Sequence, residues 1–250
     1  MPPKSKKSQK AKPASTPPSS APNPPPPRMD WPTLTPLLPP SSLELDTTLP
    51  GQIVVIRNLF TAKLCKTYVD FLQRNAALTT TPGQPKRGEA VRVNDRFQIQ
   101  DAQFAERLWR ETGLQEVVER DGDEGMWGGK VVGLNPNIRI YRYTTGQFFD
   151  KHYDDSNQFT MGNPPEVWKT TWTLLIYLTG AADGVKGGET VFYTEATKRK
   201  ASETVVADLV RGTALLHKHG KDCMLHEGRL VEDDGGVGKW VLRSDLCVKR

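Results

Sequence analysis

The sequence predicts an α+β fold that is mainly β, a sandwich or barrel with helices packed outside it. The chain of 250 residues is long enough for one core of ordinary size but not for two large ones. Two helix-like stretches come first, and from residue 130 onward strand-like runs alternate with clusters of Gly, Pro, Asp and Asn. These runs are VVGL, NIRIYRY, TWTLLIYL, ETVFY, ETVVADL, GTALLH and KWVLRSDLCV.

A strand and a helix open the folded part of the chain. GQIVVIRNLF predicts a short apolar strand, and TAKLCKTYVDFLQRNA repeats large apolar residues every three or four positions, which is typical of a helix with one buried face. Residues 79–95 combine Pro, Gly and charge and predict a long loop. A second helix is expected over FAERLWRETGLQEVVE, with Asp101 as its N-cap. Between two later strands, DSNQFTMGNPPEVWKTT is expected to form a lid.

The chain divides into a basic, proline-rich tail, residues 1–45, and a folded domain, residues 46–250. Its segment KSKKSQKAKPASTPPSSAPNPPPP has almost no large apolar residue with which to form a core, and the tail is predicted to be disordered. Five lysines and Arg28 put six positive charges on residues 1–28, and subtracting these from the net charge of +5 leaves −1 on the rest. The domain therefore lacks the basic excess of a nucleic-acid surface, and nucleic-acid binding is expected only through the tail.

Cysteine usage and sorting signals indicate the compartment. The three cysteines, Cys65, Cys223 and Cys247, form no CxxC pair, which favours free thiols in a reducing compartment. No apolar segment follows the N-terminal charges as in a secretory signal, and no run of 18 apolar residues is present to span a membrane. We therefore expect a cytoplasmic or nuclear protein with no membrane partner. The lysines of the tail are either a nuclear address or a solubilising feature.

A histidine and an aspartate two residues apart form the first candidate site. In RIYRYTTGQFFDKHYDD, His152 and Asp154 follow a strand-like run, and residues i and i+2 of a strand point to the same side, as two ligands of one metal ion must. A bare HxD pair is more often a hydrogen-bonded surface histidine, so a metal site needs a third ligand. His226, which precedes a β-rich run, is the candidate; His217 and His219, on one strand face, are the alternatives.

Two cations after His226 indicate a cosubstrate. Two histidines and one carboxylate leave three positions of an octahedral iron open, the facial arrangement of non-haem Fe(II) oxygenases. A cosubstrate that chelates iron through a keto acid needs its distant carboxylate neutralised. Lys239 can do this as a point charge and Arg243 as a bidentate fork, and the two residues share one face of a strand.

These blocks resemble the iron(II)- and 2-oxoglutarate-dependent dioxygenases, most closely their prolyl 4-hydroxylase-like branch. RIYRYTTGQFFDKHYD is similar to the tyrosine, glycine, aromatic pair and HxD of that branch, and LHEGRLVEDDGGVGKW to its distal histidine followed by a GxKW strand. TLLIYLTG and GGETVFY lie between them in the order that the family uses. The resemblance covers about residues 50–250. It implies a double-stranded β helix, the jelly roll of this family, with supporting N-terminal helices.

The resemblance implies that the iron ligands are His152, Asp154 and His226. It also implies that Lys239 binds the C5 carboxylate of 2-oxoglutarate and that Tyr143 and Tyr177 donate hydrogen bonds to this cosubstrate; core packing is the alternative for either tyrosine. The branch typically has its lysine ten residues after the distal histidine, whereas Lys239 follows His226 by thirteen. A turn within VEDDGGVG can absorb the three extra residues, and Arg243 is the other candidate for the carboxylate anchor.

The resemblance implies an enzyme that uses Fe(II), 2-oxoglutarate and O2 to hydroxylate an unactivated C–H bond, with release of succinate and CO2. L-Ascorbate is expected to support turnover by re-reducing the iron. A prolyl side chain of a protein is the favoured substrate, and other peptide side chains, nucleic-acid bases and small molecules are the alternatives. Two hypotheses compete with this one: a jelly-roll binding module without catalysis, and a nucleic-acid binder that acts through the tail.

Overall fold

The computed structural model describes residues 29–85, 87–196 and 201–249. Over these ranges its α-helices are α1 Ala62–Asn75, α2 Ala102–Glu111, α3 Leu114–Asp121 and α4 Glu124–Trp127. Its strands are β1 Leu45–Leu49, β2 Ile53–Ile56, β3 Thr79–Thr80, β4 Arg92–Val93, β5 Asp95–Gln100, β6 Val131–Leu134, β7 Asn137–Tyr143, β8 Phe148–His152, β9 Gln158–Met161, β10 Glu166–Tyr177, β11 Val185–Gly187, β12 Thr190–Tyr193, β13 Thr204–Ala207, β14 Ala214–Lys218, β15 Leu225–Gly228, β16 Val231–Asp234 and β17 Lys239–Lys249. Each strand-like run predicted from residue 130 onward contains a strand, as does GQIVVIRNLF.

The strands form two antiparallel sheets and one two-stranded ribbon. The large sheet has the order β1-β2-β14-β10-β17-β7-β5-β3, with β6 against β17 and β9 against β10. The small sheet has the order β13-β12-β15-β8-β4, and β11 pairs with β16 in the ribbon. Neighbours in these sheets are often far apart in the sequence, so segments from both halves of the domain meet in each sheet.

The large sheet buries a different hydrophobic cluster on each face. Side chains alternate along a strand, so Val54 and Trp240 pack toward the helices, whereas Val55 and Val241 point the other way. The second cluster also contains Phe192 of the small sheet, so it lies between the two sheets. Polar side chains gather in this second layer, and the candidate site is built there.

Side-chain caps start the first two helices. The hydroxyl of Thr61 accepts a hydrogen bond from the backbone N–H of Leu64 at 3.2 Å and caps α1. The carboxylate of Asp101 accepts one from the N–H of Phe104 at 2.9 Å and caps α2, as the sequence predicts. Each cap satisfies one of the N–H groups that the first turn of a helix leaves without a partner.

The prediction of one continuous second helix is wrong, because the chain turns at Gly113. This residue has φ 79°, in the left-handed region that glycine adopts most easily. A Cβ at this position would lie 3.1 Å from side-chain atoms of Leu43 and Pro40. Helix α2 therefore ends before Gly113 and α3 begins after it.

Residues 29–45 pack on the helices, so the predicted tail boundary at residue 45 is wrong. Trp31 is 7 % exposed and stacks on Phe104 with ring centroids 4.0 Å apart. Its indole N–H donates to the Asp101 carboxylate at 2.9 Å. A single large aromatic side chain anchors this proline-rich segment, which composition alone does not reveal. Residues 1–28 lie outside the described residues, so the disorder predicted for them stays a prediction.

The predicted lid is a β-hairpin. Residues 158–161 of β9 pair with residues 166–169 of β10 and extend the large sheet. QFTM alternates in polarity as a sheet strand does, and EVWK leads directly into the strand-like TWTLLIYL, which outweighs the turn residues between them. The predicted loop at residues 79–95 carries the short strands β3 and β4 before β5 begins.

The three cysteines are free thiols, as the sequence predicts. Cys65 and Cys247 are buried, and Cys223 is partly exposed beside the candidate site. In the described part of the chain, none of the helices combines the length and apolar character needed to cross a bilayer.

Candidate metal centre

Strand pairing in the small sheet brings two of the predicted ligands together. Strands β8 and β15 are antiparallel neighbours, and His226 lies directly opposite His152 in their register. Residues directly opposite each other on neighbouring strands point to the same face. The two imidazole rings accordingly lie 4.2 Å apart, measured between centroids.

Asp154 is the third predicted ligand and lies two residues beyond the end of β8. Its backbone carbonyl accepts from the N–H of Gly220 at 2.8 Å, and its own N–H donates to Sγ of Cys223 at 3.3 Å. The buried carboxylate has Oδ1 at 3.8 Å from Nε2 of His152 and Oδ2 at 3.7 Å from Nε2 of His226. Ligand atoms of all three side chains lie within 4.8 Å of one another.

The hydrogen bonds of both histidines leave the correct nitrogen free for a metal. Nδ1 of His152 lies 2.8 Å from the carbonyl of Asp150, and Nδ1 of His226 lies 2.9 Å from the carbonyl of Met224. A carbonyl oxygen only accepts, so each Nδ1 carries the proton and each Nε2 presents a lone pair to the centre. Two donor atoms that are each about 2.1 Å from one ion are separated by about 3 to 4.2 Å, and both distances from Asp154 fall in this range.

The protonation states of the three predicted ligands also suit the binding of a metal cation. Burial lowers the pKa of His152 to about 3 and lowers the pKa of His226, so both rings are neutral at physiological pH. Burial by itself would raise the pKa of Asp154, but the guanidinium of Arg243 and the neighbouring imidazoles together outweigh this and hold the pKa well below its usual value. Two neutral imidazoles and a carboxylate are the forms in which these side chains bind metals.

Arg243 lies against the carboxylate of Asp154. Its Nη1 donates to Oδ1 at 3.1 Å, and its Nη2 is 3.1 Å from Oδ2. Arg243 also contacts Asp245 at 3.4 Å, and Asp245 in turn pairs with Arg139 at 3.2 Å. These four side chains form a chain of alternating charge that fixes the carboxylate. A carboxylate has about four lone-pair sites, so these contacts leave room on Asp154 for a metal ion.

Thr173 and His219 complete the support of Asp154. The hydroxyl of Thr173 donates to Oδ2 of Asp154 at 2.8 Å, and Nδ1 of His219 lies 3.0 Å from the same hydroxyl oxygen. Because the hydroxyl proton goes to the carboxylate, Nδ1 of His219 must donate to Thr173. His219 thus orients Asp154 through an intervening threonine and offers the centre no nitrogen of its own.

Lys239 lies at the opposite end of the same cavity. It starts β17, four residues and therefore about 13 Å along the strand from Arg243. Its Nζ donates to the carbonyl of Gly188 at 2.5 Å and lies 4.8 Å from the centre of the Tyr143 ring. Among the described residues, no carboxylate comes within ion-pair distance of this buried ammonium. Burial lowers the pKa of Lys239 to about 8.

The two predicted tyrosines are near Lys239. Tyr143 is directly opposite Lys239 in the pairing of β7 with β17. The hydroxyl of Tyr177 is 2.8 Å from that of Thr190, a residue on β12 for which the sequence offered no signal. Burial raises the pKa of both tyrosines, so they are neutral hydrogen-bond donors. A buried cation and hydroxyl groups that line the same cavity match the requirements of a carboxylate.

One cavity connects the candidate metal centre with Lys239. It has a volume of about 40 Å³, enough for about three water molecules, so a five-carbon diacid requires lining side chains to move. Its walls between Lys239 and the metal centre include Leu175 and Val241. Past His152 and Asp154 it meets an open groove of about 830 Å³, which residues 81–85, 88–90 and 92 help to line.

A turn directly precedes Lys239. Strand β16 ends at Asp234, and Gly235 and Gly236 follow with positive φ values of 62° and 73°. Strand β17 then begins at Lys239, but it does not pair with β16, so this is not a hairpin turn. That the turn absorbs the three extra residues stays a prediction.

Comparison with known proteins confirms the resemblance. Residues 138–244 match the sequence model of the 2OG-Fe(II) oxygenase superfamily, whose members are oxidoreductases that use Fe(II) and 2-oxoglutarate. No curated protein matches the sequence. The matched region runs from β7 into β17 and contains His152, Asp154, His226 and Lys239.

Solved structures confirm the jelly-roll fold. A prolyl-4-hydroxylase from Pseudomonas putida superposes with a TM-score of 0.52 at 13 % identity, covering 80 % of this chain and 94 % of that one. A prolyl hydroxylase from Trichoplax adhaerens, in complex with a hypoxia inducible factor peptide fragment, superposes with a TM-score of 0.54 at 14 % identity, covering 79 % and 84 %. At this level of identity the likeness shows the fold, and the two packed sheets are the predicted double-stranded β helix.

Proposed function

We propose that this protein is an Fe(II)- and 2-oxoglutarate-dependent dioxygenase that hydroxylates an unactivated C–H bond of its substrate. The observation that carries the proposal is the convergence of two Nε2 lone pairs and one carboxylate within 4.8 Å, at one end of a cavity. The other end of that cavity holds a buried lysine with no carboxylate partner among the described residues. A metal ligand set and an anion site in one cavity match a chelating keto acid with a second carboxylate.

In this proposal His152, Asp154 and His226 hold the iron. When Fe(II) is bound, it supplies the activation of O2 that side chains cannot provide, coupled to conversion of 2-oxoglutarate to succinate and CO2. The protein's own contribution is to keep both imidazoles deprotonated at Nε2 through their backbone hydrogen bonds. Arg243, Thr173 and His219 keep the carboxylate ionised and oriented.

Lys239 is the proposed anchor for the C5 carboxylate of 2-oxoglutarate, and Arg243 is not. The reason is that Arg243 is already occupied by Asp154 and Asp245, whereas the ammonium of Lys239 has a carbonyl and an aromatic ring but no carboxylate partner among the described residues. A buried charge is expected to have a counter-ion, which the cosubstrate would supply. Tyr143 and Tyr177 would then donate hydrogen bonds to the same carboxylate.

The proposed substrate is a side chain of a protein, with prolyl hydroxylation as the reaction to test first. The groove outside His152 is open and has a volume of about 830 Å³, and Tyr153, 63 % exposed, is among the residues that line it. Arg92 and Lys151 also line the groove and would contact main-chain carbonyls or acidic residues. The sequence resemblance to the prolyl 4-hydroxylase-like branch favours proline as the residue that enters.

The test is formation of succinate from 2-oxoglutarate by the purified chain with Fe(II), followed by mass spectrometry of peptides for the gain of one oxygen. His152→Ala is the matched inactive variant, and its peptides should lack the added oxygen. L-Ascorbate is expected to increase the yield by maintaining the ferrous state. Absence of Fe(II)-dependent succinate from the wild-type chain with every substrate pool would contradict the proposal.

A further inference from the structure

The guanidinium of Arg92 forms the outer layer of a three-part stack beside the candidate metal centre. Arg92 lies directly opposite Phe149 in the pairing of β4 with β8. Its Cζ is 3.8 Å from the centre of the Phe149 ring, and that ring stacks on the imidazole of His152 with centroids 3.6 Å apart and an interplanar angle of 20°. Two ring contacts therefore fix the position of this cation relative to a predicted metal ligand.

The stack leaves the hydrogen-bond donors of Arg92 unused. A guanidinium has five N–H donors in its plane, and a contact between its central carbon and a ring occupies none of them. Arg92 is half-buried, and in the described part of the chain its side chain contacts the rings of Phe149 and Tyr141 but forms neither an ion pair nor a hydrogen bond. Arg142 and Arg243, by contrast, each donate to a carboxylate. A fork of donors without an acceptor is suited to an acceptor from outside the chain.

Arg92 lines the open groove at the mouth of the cavity. Three residues line both the cavity and the groove, namely Phe149, His152 and Asp154. A substrate that approaches through the groove therefore reaches the metal centre next to Phe149, and so next to Arg92. Acidic side chains such as Asp155 also line the groove, but within the described ranges none of them lies within ion-pair distance of Arg92.

The ring contacts also set how far a group bound to Arg92 lies from the reacting residue. Contacts of 3.8 and 3.6 Å in succession separate the guanidinium from the imidazole of His152. An extended chain advances about 3.3 Å per residue, so this span corresponds to about two residues. An acidic side chain has a length of its own, so its residue is expected within about three positions of the residue that reaches the metal.

We propose that Arg92 binds a carboxylate of the substrate, so that the protein hydroxylates residues with Asp or Glu within about three positions on either side. This inference rests on the proposed function, and it narrows the substrate from protein side chains in general to acidic peptide segments. The fork of a guanidinium matches the two oxygens of a carboxylate, whereas a main-chain carbonyl offers only one. Arg92 contacts the substrate away from the reacting atoms and thus determines specificity.

The first measurement identifies the peptides that are oxidised. The full-length protein with Fe(II) and 2-oxoglutarate is incubated with a tryptic digest of a cell extract, and mass spectrometry locates each added oxygen. His152→Ala serves as the blank for oxidation that the metal centre does not cause. We expect Asp and Glu to be more frequent near the modified residues than near the same residue type in unmodified peptides.

The second measurement isolates the contact with a double-mutant cycle. An oxidised peptide is synthesised with its neighbouring Asp or Glu, and again with Asn or Gln in that place, and kcat/KM is measured for both at saturating 2-oxoglutarate. With the wild type, the amide peptide should have a kcat/KM about fivefold lower, because a partly exposed ion pair is lost. With Arg92→Gln, the two peptides should have equal kcat/KM.

Arg87→Gln is the matched control. Arg87 is an exposed arginine of the same loop and is not among the described residues that line the groove. Its variant should discriminate between the two peptides as the wild type does. Arg92→Lys keeps a cation over Phe149 and takes the place of Arg92→Gln if that variant does not fold; loss of the bidentate fork should reduce its preference for the acidic peptide.

Three results would overturn the inference. The first is equal kcat/KM of the wild type for the acidic and the amide peptide, or oxidised residues without neighbouring acids. The second is an equal loss for both peptides with Arg92→Gln, which would mean that Arg92 only supports His152. The third is Fe(II)-dependent succinate without any oxidised peptide, which would leave the dioxygenase function intact. A chain that forms no succinate would instead refute the proposed function itself.

Discussion

Replacement of Lys239 by methionine tests the assignment of the cosubstrate anchor. The ammonium is buried, is 2.5 Å from the carbonyl of Gly188 and has no carboxylate partner in the described part of the chain. Removing one member of a buried charge pair costs about 2–5 kcal/mol of binding free energy. Since about 1.4 kcal/mol is a factor of ten, the KM for 2-oxoglutarate should rise at least about 30-fold. The free protein should not lose stability, because the neutral methionine side chain replaces a buried cation that has no carboxylate within ion-pair distance among the described residues.

The assay is the initial rate of succinate formation at saturating Fe(II), with 2-oxoglutarate varied. Lys186→Met is the matched control, because Lys186 is an exposed lysine on the neighbouring ribbon. It should have the wild-type KM. A KM for Lys239→Met within threefold of the wild type would refute the assignment, and a large increase in KM for Arg243→Met instead would transfer the anchor to Arg243.

Three further predictions follow from the same contacts. Arg243→Met leaves Asp154 without its paired cation, so Co(II) affinity measured by chelator competition should fall about tenfold while the KM for 2-oxoglutarate at saturating metal changes little; equal metal affinity would contradict this role. Because burial lowers the pKa of Lys239 to about 8, the ammonium needed for binding is lost above that pH, and the KM for 2-oxoglutarate should rise about tenfold per pH unit there. A KM that stays constant well above that pKa would count against a lysine anchor. Gly113→Ala should lower the free energy of unfolding in urea by about 1–2 kcal/mol, since φ is positive and Leu43 is close; an unchanged midpoint would contradict the account of the helix break.

The parts of the site that the sequence predicted are those encoded by local pattern. The i, i+2 spacing of His152 and Asp154 suggested one shared side, although the strand ends at His152 and contacts with Gly220 and Cys223 position Asp154. The GxKW context identified Lys239 in spite of the insertion, because a glycine-containing turn can lengthen without moving the strand that follows. Local patterns of this kind can be recognised in a single sequence without knowledge of the fold.

The parts that the sequence did not predict depend on which strands become neighbours. Arg243 and Lys239 are equivalent in the sequence, as two cations on one strand face. The structure separates them, because Asp154, 89 residues away, lies beside one and not the other. His217 and His219 were likewise equivalent, and only the folded structure shows that His219 is hydrogen-bonded to Thr173, whereas His217 has no hydrogen-bond partner among the described residues.

The most direct test of the central claim is the number of Fe(II) ions bound per chain under anaerobic conditions. Equilibrium dialysis followed by elemental analysis should give one ion for the wild type and none for Asp154→Ala. Asp155→Ala removes the adjacent, exposed carboxylate and should still bind one ion. Equal binding by the wild type and Asp154→Ala, or none by the wild type, would contradict a metal centre built from His152, Asp154 and His226.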